Sequence, residues 1–158
     1  MLSEQARAEI DKWAAKYPPD RRRSAVLAAL TFVQEENGGW LSTELMDAVA
    51  DYLRIPRIAV YEVGSFYSMY DLKPVGRHKV SVCDNISCML CGAGDIIRHI
   101  ERRYDVSRGG TTKDGRFTLK REEECLAACA GGPMMTVDGH YHENLTPEKV
   151  DAILDGLE

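Results

Sequence analysis

Apolar residues in the first half of the chain recur at helical spacing. Ala6 to Lys16 reads as a first helix, stopped by Tyr17-Pro18-Pro19. Val26, Leu27, Leu30 and Val33 then fall at i, i+1, i+4 and i+7, one stripe of a second helix. Asn37-Gly38-Gly39 ends it, because these residues tolerate the left-handed conformation of a helix C-terminus. Ser42 suits the N-cap of the next helix, whose stripe is Met46, Val49, Ala50 and Leu53. Pro56 suits the first position of a further helix carrying Val60, Val63, Tyr67 and Tyr70, closed by Lys73-Pro74. Short connections between such helices predict a small bundle.

Beyond that point the period changes. Lys79 to Val82 is a short β-rich run leading directly into Cys83. Asp95 to Tyr104 is helical, with Ile96, Ile97, Ile100 and Tyr104 on one side. Thr111-Thr112 and Phe117 to Leu119 flank a Lys113-Asp114-Gly115 turn, and Met134 to Val137 is turned by Asp138-Gly139 towards Tyr141. Thr146 and Pro147 open a last helix with Val150, Ile153, Leu154 and Leu157 on its buried side. The order strand, loop, helix, three strands, helix predicts a small mixed sheet with helices packed on it.

Composition narrows the function. At 44% hydrophobic and 28% charged, the 158 residues are ordinary for a globular protein. A net charge of −5 argues against a nucleic-acid binder, which needs a basic face. The longest apolar run, Ala25 to Leu30, is far too short to span a membrane, and the N-terminus lacks the apolar core of a signal peptide. The expected compartment is the cytosol, where cysteines serve metal or redox chemistry more than structural disulfides.

Four of the five cysteines form two pairs, Cys83/Cys88 spaced C-x4-C and Cys125/Cys129 spaced C-x3-C. Two thiols on each of two short loops match what a [2Fe-2S] cluster requires, two thiolates per iron. Gly92-Ala93-Gly94 and Ala130-Gly131-Gly132 would let backbone N–H groups approach the sulfurs. A plant-type ferredoxin pattern would use Cys83, Cys88 and Cys91 with one later cysteine, leaving the other idle; the two-pair reading idles only Cys91. A zinc site favours tighter C-x2-C pairs. A thioredoxin-like dithiol would use Cys88 and Cys91 and leave the other three unexplained. A Rieske centre needs two histidine ligands near its cysteines, and none stands there.

Other candidates carry less. His140 and His142 share a face of one expected strand, a conceivable metal pair but more simply an exposed face. His78 and His99 read as isolated surface residues, and Phe66, Tyr67 and Tyr70 as bundle core or interface. Arg21-Arg22-Arg23 is a solvated helix start. Glu122-Glu123-Glu124, just before Cys125, would add negative charge near a cluster and lower its potential.

The stretches PRIAVYEVGSFYSMY (56–70), VSVCDNISCML (80–90), TTKDGRFTL (111–119), EECLAACAGGPMM (123–135) and YHENLTPEKV (141–150) resemble one family. It is the thioredoxin-like [2Fe-2S] ferredoxin family found as a subunit of NADH-quinone oxidoreductase, respiratory complex I. The resemblance implies an α+β chain: a helical bundle over 1–76 followed by a thioredoxin-like [2Fe-2S] ferredoxin domain over 77–158. It carries the cluster ligands to Cys83, Cys88, Cys125 and Cys129, with no separate catalytic residue. It implies an electron-transfer subunit, not catalytic alone, whose one cluster exchanges electrons with the FMN of an NADH-binding partner subunit, off the main path to quinone. The absence of a G-x-G-x-x-G fingerprint fits NADH and FMN residing on that partner. The expected location is cytoplasmic, peripheral on the cytoplasmic side of the inner membrane through the complex, without membrane insertion. The equivalent diaphorase subunit of a NAD-linked hydrogenase or formate dehydrogenase would share these motifs.

The chain departs from the family around its loops. Ser87 stands where the family often has Pro, Ala127 where Gly is common, and Gly132 where Ala is common. Cys91 is an additional thiol, expected to pack at the start of the following helix.

Overall fold

The computed structural model describes residues 1–121 and 125–158, so the Glu122-Glu123-Glu124 expectation lies outside the described residues. Two compact units follow one another, Met1–Pro74 and Val75–Glu158.

The first unit is a helical bundle: α1 (Glu4–Ala14), a 3-10 segment (Pro19–Ala25), α2 (Val26–Glu36), α3 (Thr43–Leu53) and α4 (Arg57–Phe66). Ser3 and Ser42 accept hydrogen bonds from the N–H groups of Ala6 and Leu45, satisfying donors that a helix start leaves free. Gly38 and Gly39 take positive φ (66° and 90°) after α2, the expected stop. The core gathers Ile10, Leu30, Val33, Leu41, Met46, Val49, Leu53 and Val60. At Gly64 an added Cβ would stand 2.9 Å from Met46 Sδ, so the glycine lets α4 close on α3.

Here the sequence expectation fails in one respect. The helix begins at Arg57, with Pro56 as its N-cap, and it stops at Phe66 because Tyr67 turns extended (ψ 124°). Tyr70 is therefore not on a helical stripe. It is buried instead by its hydroxyl, which donates to Leu27 O at 2.8 Å and meets Thr31 Oγ1 at 3.3 Å. Phe66 is left 80% exposed.

The second unit runs β1 (His78–Val82), α5 (Ile86–Leu90), α6 (Ala93–Tyr104), β2 (Phe117–Leu119), a 3-10 turn (Cys129–Gly131), β3 (Met135–Val137), β4 (His140–His142) and α7 (Pro147–Leu154). The sheet order is β2-β1-β3-β4. β1 pairs parallel with β2 and antiparallel with β3, and β3 pairs antiparallel with β4. Asp138 and Gly139 both take positive φ (51° and 81°), the backbone of a two-residue hairpin turn matched to strand twist. Val80, Phe117, Leu119 and Met135 form the core with Ile96, Ile100, Val150 and Leu154 from α6 and α7. Each such side chain contributes roughly 1.5–3 kcal/mol by leaving water. Among the described residues no helix is long and apolar enough to cross a membrane.

Candidate metal centre

β1 hands the chain to Cys83, whose N–H bonds Met134 O at 3.1 Å and so ties the first cysteine loop to the entry of β3. Asn85 caps the helix that follows. This helix, α5, is not visible in the hydrophobic pattern; five residues show less than two turns of period. Cys88 is its third residue. Cys83 and Cys88 are 2% and 1% exposed and pack with Ala93 and Met134, partly covered by Leu126 and Ala128, in a small cluster separate from the sheet core. Gly92, at φ 93°, breaks the chain between α5 and α6.

Cys125 and Cys129 lie at the surface with their sulfurs 3.4 Å apart. Backbone geometry holds them. Ala127 between them takes φ 62°, a conformation a Cβ disfavours. The turn over Cys129–Gly131 is anchored when Asn144 N donates to Gly131 O (2.6 Å) and Leu145 N to Pro133 O (2.9 Å). A Cβ on Gly131 would stand 2.7 Å from Glu143 Cβ, and one on Gly132 would stand 3.4 Å from Cys88 Sγ. The two glycines thus seat the second loop on the segment after β4 and bring its backbone against the first loop's sulfur.

The thiols feel one another across the loops. Burial pushes the Cys88 thiol up to about 11, reinforced by hydrogen bonding and repulsion from Cys83, against a donating Met134 N–H; the charge of Cys129 adds to the rise. The Ala127 N–H pulls Cys125 down, with further bonds from Cys129 and Cys83. Cys129 is raised by Cys125, first through their hydrogen bond and then by charge, while the Ser87 hydroxyl opposes. The electrostatics of the four thiols is therefore linked across the two loops, and the backbone at Met134 and Ala127 favours negative charge on Cys88 and Cys125.

This donor set fits a two-iron cluster. It is all sulfur, soft and in two pairs, and a bound cation would supply the charge that stabilises a buried Cys88 thiolate. The dithiol alternative fits poorly. A reactive thioredoxin-type thiol is depressed at a helix start, whereas Cys88 is mid-helix, buried and raised.

Cys91 corrects the sequence expectation. It is the exposed C-cap of α5, where the chain leaves the helix, and not a packed thiol. His78 and His99 are also not isolated: each holds a carboxylate at 2.7 Å, Asp138 and Asp151 respectively. His140 and His142 stand on β4, with His142 lowered first by burial and then by Lys149 and His140. Arg22 and Arg23 pair with Asp11 (3.7 Å) and Glu62 (3.2 Å), as a solvated segment would. Sequence reasoning missed Met134 and Ser87 as neighbours of the sulfurs. Met134 is one place from a strand and two loops away in sequence, and no local pattern marks it.

The family model for thioredoxin-like [2Fe-2S] ferredoxins matches residues 10–158. An NADH-quinone oxidoreductase subunit of Rickettsia bellii is 42% identical over 142 residues, spanning 90% of this chain and 84% of that protein. The counterpart from Rhizobium meliloti, also named as an NADH-quinone oxidoreductase subunit, is 42% identical over 151 residues, spanning 96% and 88%. The mitochondrial "NADH dehydrogenase [ubiquinone] flavoprotein 2" of Dictyostelium discoideum is 40% identical over 149 residues, spanning 94% and 60%. In fold, the chain is similar to part of an air-oxidized NAD+-reducing [NiFe]-hydrogenase, with a TM-score of 0.67 at 16% identity. That match covers 80% of this chain and 22% of the hydrogenase chain.

Proposed function

The chain belongs to the thioredoxin-like [2Fe-2S] ferredoxin family, and from that premise we propose that it is the electron-transfer subunit of an NADH dehydrogenase module, holding one [2Fe-2S] cluster on Cys83, Cys88, Cys125 and Cys129. The observation that carries the ligand assignment is the approach of the two loops: the Cys125 and Cys129 sulfurs stand 3.4 Å apart, and the backbone of the second loop closes on the first, where a Cβ on Gly132 would stand 3.4 Å from Cys88 Sγ. One-electron exchange is what such a cluster supplies when bound. The chain's own residues do the rest. Ala93, Met134, Leu126 and Ala128 exclude water from the Cys83/Cys88 side. Met134 and Ala127 direct N–H groups at sulfur, which favours added negative charge there and raises the potential. The Cys125/Cys129 side stays at the surface, giving electrons a short way out.

The electron partner in this reading is the FMN- and NADH-binding subunit of the same module, and the chain is held at the cytoplasmic side of the inner membrane through that complex. The test is electron paramagnetic resonance with iron analysis on the purified chain. The expected result is a brown protein with two irons per chain and an S = 1/2 signal after reduction. Serine at Cys83, Cys88, Cys125 or Cys129 removes or alters that signal, and Cys91→Ser leaves it intact. A signal lost in Cys91→Ser and kept in Cys125→Ser would overturn the ligand set. Co-purification with a flavin-containing subunit tests the partner.

A further inference from the structure

We propose that Arg108 is a positioning residue for the first cysteine loop, and that its pairing with Asp84 cancels a negative charge one residue from Cys83 and holds up the reduction potential of the site. This inference rests on the ligand reading above. Arg108 Nη2 lies 2.5 Å from Asp84 Oδ2, and the two side chains are only 32% and 33% exposed. The pair joins two connections 24 residues apart in sequence: the one leaving β1 and the one leaving α6.

The Arg108 side is rigidly placed. Val106 is buried, Gly110 N donates to Ser107 O (2.8 Å), and Gly109 N donates to Leu119 O (2.7 Å), locking this turn to the end of β2. Arg108 N donates to Glu101 Oε1 at 3.3 Å, which fixes the backbone against α6. The guanidinium therefore comes to Asp84 from a stiff support. Asp84 sits between Cys83, buried, and Asn85, which caps the helix carrying Cys88. Holding its carboxylate holds the backbone of the whole first loop. The described charges around Arg108 are the Asp84 and Glu101 carboxylates, with the Arg121 side chain packed against Gly109.

The sign follows from electrostatics. One-electron reduction of a cluster held by these cysteines would add one negative charge to the site as a whole. An unpaired Asp84 carboxylate opposes it, and a paired one does so much less. Because both partners are partly screened by water, the expected effect is modest, roughly a three- to tenfold change in the redox equilibrium constant, shrinking at high salt.

The experiment is a potentiometric titration, followed by electron paramagnetic resonance, on the full chain with its cluster. Arg108→Ala is expected to lower the midpoint potential and Asp84→Asn to raise it. The double variant Asp84→Asn/Arg108→Ala is expected to return close to the parent, and Arg108→Lys to stay near it. Iron loss to a chelator supplies a second reading: it accelerates in Arg108→Ala and less in Arg108→Lys. Single variants that shift the potential in the same direction, or a double variant no nearer the parent than either, would overturn the charge-pair assignment. So would unchanged potentials and iron-loss rates in both single variants. A parent chain that binds no cluster would refute the proposed function instead, so the two failures are distinct.

Discussion

Cys83 and Cys88 are 2% and 1% exposed, set between the end of a strand and the middle of a helix, whereas Cys125 and Cys129 lie at the surface on a segment whose only regular element, among the described residues, is one 3-10 turn. The first pair is placed by side-chain burial and helix formation. The second is placed by backbone: a left-handed residue at Ala127, two glycines in close approach, and hydrogen bonds from Asn144 and Leu145. A site built this way has one wall that excludes water and one that faces outwards, which is the asymmetry an electron carrier needs. The difference can be broken from either side, and the two loops should fail differently.

The largest expected effect is on the second loop. In Gly131→Ala the new Cβ would stand 2.7 Å from Glu143 Cβ, which belongs to a backbone-fixed position and cannot swing away as the carboxylate can. Either the turn or the 143–145 segment shifts, weakening the bond from Asn144 N to Gly131 O. Overpacking of this kind costs about 1–3 kcal/mol. Urea unfolding of the cluster-free chain should show that loss, and the cluster-loaded chain should lose iron faster. Unchanged stability would mean that the second loop is adaptable and that the first alone sets the geometry.

The next effect belongs to the first loop. The folded Cys88 thiol is raised to about 11, mainly by burial, so the folded chain holds its proton where the unfolded chain releases it. The contribution is fully present below the unfolded thiol value, about 8.5, and is lost as pH rises towards 11. Cluster-free protein should therefore lose stability over that window, by up to about 3 kcal/mol. Replacing Cys88 with alanine should flatten the profile more than replacing surface Cys125, whose removal acts through the smaller Cys125/Cys129 coupling. Unfolding followed across pH 8–11 checks both. A Cys125→Ala profile flattened more than a Cys88→Ala profile would reverse the comparison.

The same division explains what was legible in the sequence. The caps at Ser42 and Thr146, the stripe Met46, Val49, Ala50 and Leu53, and the Asp138-Gly139 turn depend on neighbours a few residues away, and all stand as the pattern predicts. The family and its cofactor were legible because four thiols in two short spacings are a local signal. What escaped notice depends on contacts distant along the chain. Tyr70 leaves the helical period because its hydroxyl finds Leu27 O, 43 residues away. Met134 meets Cys88 only once the strands pair, and Asp84 meets Arg108 only once two loops fold side by side. α5 is too short to show a period, and with it went the outward turn of Cys91.

The smallest effect bears on Ala127, where the structure adopts a backbone that this residue disfavours. At φ 62° the Cβ crowds the following carbonyl, a cost of about 1–2 kcal/mol that glycine does not carry. Glycine in turn loses more chain entropy on folding, about 0.5–1 kcal/mol. Ala127→Gly is therefore expected to stabilise the chain by roughly 0.5 kcal/mol while leaving the N–H that points at Cys125 in place. The cluster spectrum should not change, because no sulfur or donor moves. A small rise in the urea midpoint with an unaltered paramagnetic signal would mark the second loop as backbone-strained yet correctly formed. A fall in the midpoint would mean that Ala127 relaxes out of the left-handed region in solution. The loop's rigidity would then come from Gly131 and its anchors alone.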